Sequence, residues 1–226
     1  MIDRIRLVSF DLYGTLLDLD GLIEPLSAYT KMAVTVRDSW RQRQLQLANA
    51  SASSGRYMDF DRITLSALHE ISERYYLRLS GTDQKHLLDR WAHLPPYEDA
   101  IAALRAAANC GVTLAVMTNA VGSTAKNALT FAGLSDYFKY VFSSDSVKTF
   151  KPKAELYAQS VGAGFEPYST LFVSANDWDA TGARQSGFHT VFVNRRKATL
   201  SIKPERTIDD LTQLEGVLAG FGLAPA

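Results

Sequence analysis

Hydrophobic positions along the chain follow two alternating rhythms. Five short runs, "IRLVSFD" (5–11), "VTLAVMTN" (112–119), "YVFSSD" (140–145), "TLFVSAN" (170–176) and "TVFVN" (190–194), are nearly continuous in apolar and β-branched residues. Runs of that kind fit strands covered on both faces, since a strand with one wet face would alternate. The stretches between them, "YEDAIAALRAAANCG", "VGSTAKNALTFAGL", "PKAELYAQSVGAG" and "DATGARQSG", read as helices, and most close on a glycine able to take the left-handed capping conformation. Strand and helix in alternation predict an α/β fold built on a doubly wound, parallel, Rossmann-like sheet.

The interval from 19 to 92 breaks the rhythm. It carries no strand-like run but several helix-length stretches, among them "VRDSWRQRQLQLANA" and "DRITLSALHEISERYYLRL". In the second, Ile63, Leu65, Leu68, Ile71, Tyr75 and Leu79 recur at a three-to-four spacing that gives one apolar face. The pair Pro95–Pro96 marks the return to alternation. The expected organisation is a core domain of residues 1–18 and 93–226 with a helical cap, 19–92, inserted after the first strand. The tail from about 197 is polar, then weakly amphipathic, and says little.

Composition narrows the class. A chain of 226 residues with 46% hydrophobic and 21% charged residues can bury a substantial core. Lys plus Arg number 24 and Asp plus Glu 24, so no net field favours nucleic acid or an anionic membrane. The start, "MIDRIRLVSF", fits neither a signal peptide nor a membrane span. The single Cys110 excludes an intrachain disulfide and suits a reducing compartment, so the cytoplasm is the expected location. His69, His86, His93 and His189 lack ligand spacing, and no zinc site is expected.

Open parallel sheets bind ligands beyond the carboxyl ends of their strands. The unusual polar residues of this chain collect there: Asp11 after the first strand, Thr118 and Asn119 after the second, Lys151 before Pro152 after the third, and Ser174, Asn176 and Asp179 in "SANDWD" after the fourth. Each alone is an ordinary turn or cap residue. Four strand ends in this order instead predict one site with a nucleophile, a hydroxyl, an amide and a cation.

These motifs, "FDLYGTL", "TN", "KP" and "SANDWDATGA", resemble those of the haloacid dehalogenase superfamily. With "WRQRQL" (40–45) and "GRYMDF" (55–60) in the cap, the likeness is to its L-2-haloacid dehalogenase branch and extends over nearly the whole chain. The resemblance implies Asp11 as nucleophile, Lys151 as its cationic partner, and Thr118, with backbone amides after Asp11, at the substrate carboxylate. Asn176 and Asp179 would orient Lys151 or the hydrolytic water. Arg41 and Asn119 would contact the halide, and Tyr13, Leu45, Phe60, Tyr157, Ser174 and Trp178 would complete the substrate and halide pocket. Superfamily phosphatases typically carry a second acid two residues after the nucleophile and another in the fourth motif to hold magnesium. Here those positions are Tyr13 and Ser174, so neither a proton-shuttling carboxylate nor a magnesium ligand is supplied there.

The implied activity is that of an (S)-2-haloacid dehalogenase: hydrolysis of short 2-haloalkanoic acids to 2-hydroxy acids through an aspartyl ester, with no metal and no cofactor. The expected partners are a small 2-haloacid and a halide, with no nucleic acid and no membrane; a homodimer remains open. A phosphatase of the same fold and a non-catalytic relative that binds a small anion are the alternatives. One departure concerns chain length: "LQLANASASSGRY" carries small residues where the branch commonly has bulky aromatics.

Overall fold

The computed structural model describes residues 4–198 and 204–224. Six strands form one all-parallel sheet: β1 (Leu7–Phe10), β2 (Thr113–Thr118), β3 (Tyr140–Ser143), β4 (Thr170–Ser174), β5 (His189–Val193) and β6 (Arg206–Ile208). Their spatial order is β3-β2-β1-β4-β5-β6. The chain builds outward from β1 through β2 and β3, then crosses back to place β4 on the other side of β1. Asp11 follows β1 at this reversal, where the connecting loops diverge and leave a crevice.

The alternation of side chains in β1 explains why the run is apolar on both faces apart from the small, buried Ser9. Val8 and Phe10 join Val116, Leu171, Val173 and Val191 in one buried layer, which continues into the helical interval. Leu7 points the other way, into a second layer with Ala115, Met117, Phe172, Tyr157 and Phe188. The sheet is therefore dry on both faces near its centre.

The five strands read from the sequence lie within about two residues of their expected ends. β6 was not expected: its three residues at the sheet edge are too short to stand out as an apolar run, and the helix Leu214–Gly220 follows it. The helix expected over 152–164 is present as two short pieces, Ala154–Tyr157 and Gln159–Gly162. The expected core span also takes in residues 1–3, 199–203 and 225–226, which lie outside the described residues.

Residues 19–92 are helical where they are ordered into elements, with the helices Ala33–Ser54, Phe60–Arg74 and Gly81–Asp89 the longest. Asp59 caps the second, accepting from the Arg62 amide at 2.9 Å, and Ser80 with Asp83 forms a capping box on the third. The interval leaves and rejoins the sheet at one place: the Asp18 amide donates to the Pro95 carbonyl and the Tyr97 amide to that of Leu16. It is pinned again near the third strand loop, where the buried Phe150 stacks on Tyr57 and packs against Phe60, with ring centroids 5.3 and 5.9 Å away. Burying a side chain of this size contributes about 1.5–3 kcal/mol. Among the described residues no helix is long and apolar enough to cross a membrane.

Candidate active site

The site begins with a turn. After Asp11 the chain reverses through Gly14 at φ +86°, a left-handed conformation that favours glycine, and this returns Thr15 to the nucleophile position. Thr15 Oγ1 donates to Asp11 Oδ2 at 2.9 Å and accepts from the Ala175 amide at 2.9 Å, tying the turn to the end of β4. Asn176 Nδ2 donates to the same carboxylate oxygen at 2.9 Å. Thr15 is absent from the residues read as functional above, although it stands in the "DLYGT" motif; only the turn geometry shows that its hydroxyl comes back to Asp11.

Lys151 supplies the other side. It lies before a cis peptide bond to Pro152, and its Nζ donates to Asp11 Oδ1 at 2.7 Å, Asp179 Oδ2 at 2.6 Å and the Met117 carbonyl at 2.9 Å. All three ammonium hydrogens are thus committed. Lys151, Asp11 and Asp179 are each at most 4% exposed, so two carboxylates share one cation in a dry setting. Burial works against the ammonium, but Asp11 and Asp179 outweigh it, and the Lys151 pKa lies above its ordinary value. For Asp179 burial prevails over the pull of Lys151, and its pKa is pushed up to about 6.

Asp179 is held by groups expected to meet substrate directly. Tyr157 OH donates to its Oδ1 at 2.7 Å and Ser174 Oγ to its Oδ2 at 3.1 Å. Both residues are fully buried and each gives its hydroxyl hydrogen to Asp179, so their polar atoms serve the carboxylate behind Lys151. Burial first, then Asp179 and Asp11, raise the Tyr157 phenol well above its ordinary range and keep it a donor. Close packing enforces the geometry. A side chain at Gly182 would place its Cβ 2.5 Å from Pro152 Cβ and 2.8 Å from Tyr157 OH, so the helix Asp177–Gln185 could not approach this closely with any other residue.

Thr118 ends β2, the neighbour of β1, and Asn119 follows it. Thr118 Oγ1 accepts from the Ala120 amide at 3.2 Å, which leaves its hydroxyl hydrogen uncommitted by that bond. Asn119 Oδ1 accepts from the Lys151 amide at 2.8 Å. That bond fixes the amide orientation and makes its NH2 the end available to an acceptor.

Above these groups a cleft of about 880 Å³ separates the sheet loops from the helix Ala33–Ser54; Tyr13, Arg41, Leu45 and Asn176 line it, together with Tyr97 and Arg195. Phe60 and Tyr13 border a second, much smaller cavity beside Trp91. Trp178 is half-buried and borders neither. The Tyr13 hydroxyl donates to the Trp91 carbonyl at 3.0 Å, and burial raises its pKa far above the ordinary phenol range, with Asp61 adding and Arg41 opposing. Arg41 is half-buried; burial lowers its pKa, against the opposing influence of Asp11, Tyr13 and Asp179.

This arrangement, a carboxylate at the switch point of a parallel sheet clamped by a lysine and covered by helices, defines a class of α/β hydrolytic site. Residues 5–187 match the family of haloacid dehalogenase-like hydrolases, and the chain belongs to that family. It is 34% identical over 221 residues to (S)-2-haloacid dehalogenase 1 of Pseudomonas sp. (strain CBS-3), covering 94% of this chain and 97% of the relative. It is 31% identical over 224 residues to the (S)-2-haloacid dehalogenase of Pseudomonas sp. (strain YL), covering 98% and 97%. The solved structure of L-2-haloacid dehalogenase from Xanthobacter autotrophicus with chloropropionic acid covalently bound shares the fold at a TM-score of 0.87 and 27% identity, covering 96% of this chain and 99% of that one.

Proposed function

We propose that the protein is a hydrolytic (S)-2-haloacid dehalogenase that converts short 2-haloalkanoic acids to 2-hydroxy acids through an ester on Asp11, without a metal. The observation that carries this reading is the Asp11 carboxylate itself. Lys151 holds one oxygen and Thr15 and Asn176 the other, while the residue two places on, Tyr13, has its hydroxyl turned away to the Trp91 carbonyl. The similarity to (S)-2-haloacid dehalogenases over nearly the full chain supports the same substrate class.

The chemistry follows from the groups present. A carboxylate oxygen of Asp11 attacks the carbon bearing the halogen; the carbon–oxygen bond forms as the carbon–halogen bond breaks, the configuration inverts, and the halide leaves with the bonding pair. A carboxylate is a modest nucleophile in water, so the step depends on alignment and exclusion of solvent, which the clamp and the covering helices provide. Arg41 and the NH2 of Asn119 receive the departing halide, and Thr118 holds the substrate carboxylate. Leu45 and Tyr13 shape the apolar side of the cleft, and Phe60 borders the smaller cavity that Tyr13 shares. Water then attacks the aspartyl carbonyl. One of its protons passes to the alkoxide as the acyl–oxygen bond breaks, the other is released, and the Asp11 carboxylate is restored. Lys151 stabilises the negative charge that develops on the carbonyl oxygen in this second step.

A halide leaves unprotonated, so no acid is needed at Tyr13, and with Arg41 at the leaving group no metal ion is needed there. Activity on 2-chloropropionate, chloroacetate or fluoroacetate, measured as halide release, is therefore expected to survive EDTA, to gain nothing from magnesium, and to favour the (S) enantiomer of chloropropionate. Magnesium-dependent release of phosphate from phosphate monoesters at comparable efficiency would overturn the proposal.

The position of Asp179 makes a second expectation. As pH falls through about 6 Asp179 takes up a proton, one of the two anions holding the Lys151 ammonium is lost, and kcat/KM declines on the acid side. The contribution of Asp179 to stability runs the opposite way. Its folded pKa lies above the ordinary carboxylate value of 3.8, so the folded state binds the proton preferentially and gains stability as pH falls between these values. The Tyr157 hydroxyl favours the ionised form, so Tyr157→Phe is expected to move the acid limb to higher pH. A limb that does not move in this variant would mean that another group controls it.

A further inference from the structure

The buried stripe of the helix Ala33–Ser54 is unusual in carrying polar residues: it runs Ala33, Val36, Arg37, Trp40, Gln44, Ala48. Gln44 is completely buried between this helix and Phe60–Arg74, where a methionine or leucine would avoid the desolvation of an amide. Its hydrogen bonds allow one orientation. Thr64 Oγ1 donates to the Phe60 carbonyl at 2.7 Å, so its hydrogen is spent and it can only accept from Gln44. Gln44 Nε2 accordingly donates to Thr64 Oγ1 at 2.9 Å, which turns Oε1 toward Nη1 of Arg41, at 3.5 Å. The Trp40 indole, donating to the Thr64 carbonyl at 2.9 Å, braces the same turn.

The other arginines of this stretch are held differently. Arg37 pairs with Asp20 and Asp38, and Arg43 with both oxygens of Glu70. Arg41 has no carboxylate partner among the described residues and meets a neutral amide oxygen instead. A carboxylate in that place would fix the guanidinium equally well but would cancel the charge it offers to the cleft. We propose that Gln44, locked by Thr64, is a positioning residue for Arg41, aiming its guanidinium into the cleft while leaving its charge uncompensated. The inference rests on the reading of Arg41 as the contact for the departing halide.

Two measurements separate the inference from that reading. The first is the order parameter of the Arg41 Nε–H group by nitrogen-15 relaxation, which needs no turnover. Gln44→Met and Thr64→Val are expected to lower it markedly, and Thr64→Ser, which restores the hydroxyl, to recover it. The second is halide release. Both disruptive variants should lose about tenfold or more in kcat/KM, as expected within one hydrogen-bonded network, and Gln44→Met should cost nothing further in an Arg41→Ala background. Gln44→Glu should keep Arg41 ordered and still lose turnover, because the new carboxylate neutralises it. An Arg41 signal that stays equally ordered in Gln44→Met and Thr64→Val overturns the inference, as does a loss that adds in full to that of Arg41→Ala. Disorder at Arg41 with unchanged halide release would instead uphold the positioning role and refute the assignment of Arg41 to the halide.

Discussion

Asp11→Asn is expected to abolish turnover while leaving the fold intact. The amide is nearly isosteric with the carboxylate but is not a useful nucleophile, and loss of a nucleophile of this kind costs at least about four decades in kcat. The fold should tolerate the change because Asp11 shares Lys151 with Asp179. Removing one of two anions around one cation leaves a matched pair, whereas removing Lys151 would strand two buried carboxylates. The covalent route has its own signature. A single turnover in oxygen-18 water should leave label on Asp11 and none on the 2-hydroxy acid, because water attacks the aspartyl carbonyl and the product oxygen comes from the enzyme. Labelled product in the first turnover would mean that water attacks the substrate carbon directly. Wild-type activity in Asp11→Asn would reject the nucleophile altogether.

The next largest effect is expected at Arg41. It reaches the cleft from the covering helices and not from the sheet, and a preorganised donor facing charge that develops in the transition state is typically worth about 3–4 kcal/mol, or two to three decades in rate. Arg41→Ala should lose that much in burst-phase halide release. Arg41→Lys keeps the charge without the planar fork and should recover only part of it. Arg43 lies two residues along the same helix but pairs with Glu70, 47% exposed at its side chain. Solvated pairs of this kind contribute about 0–1 kcal/mol, so Arg43→Ala should be mild. Small, equal effects at both arginines would mean that the helices only exclude water and that the halide is held from the sheet side, by Asn119.

How much of this was legible beforehand depended on the kind of signal involved. The central strands were, because a strand buried on both faces is nearly continuous in apolar residues, and β1, β2 and β4 carry only small hydroxyl residues among theirs. β6 was not, since three residues at a sheet edge carry no such demand. The helix Ala33–Ser54 was visible in outline but extends beyond the stretch read from its pattern, because its inward face carries Arg37 and Gln44 and breaks the amphipathic period.

The same division holds at the site. Local sequence was enough to determine the parallel α/β architecture, the helical interval after β1, and the set of chemically distinctive residues at the strand ends, since each follows from periodicity or from a motif a few residues long. Which of those residues touch was decided only by the tertiary structure. Asp11 and Lys151 are 140 positions apart, and Asp11 and Asn176 are 165. The return of Thr15 to Asp11 depends on a glycine turn, and Tyr157 and Ser174 took their places behind Asp179 because a buried carboxylate must have its oxygens satisfied. Hydrogen bonds reach about 3 Å and take no account of sequence separation, so partner choice in a dry interior is settled by packing.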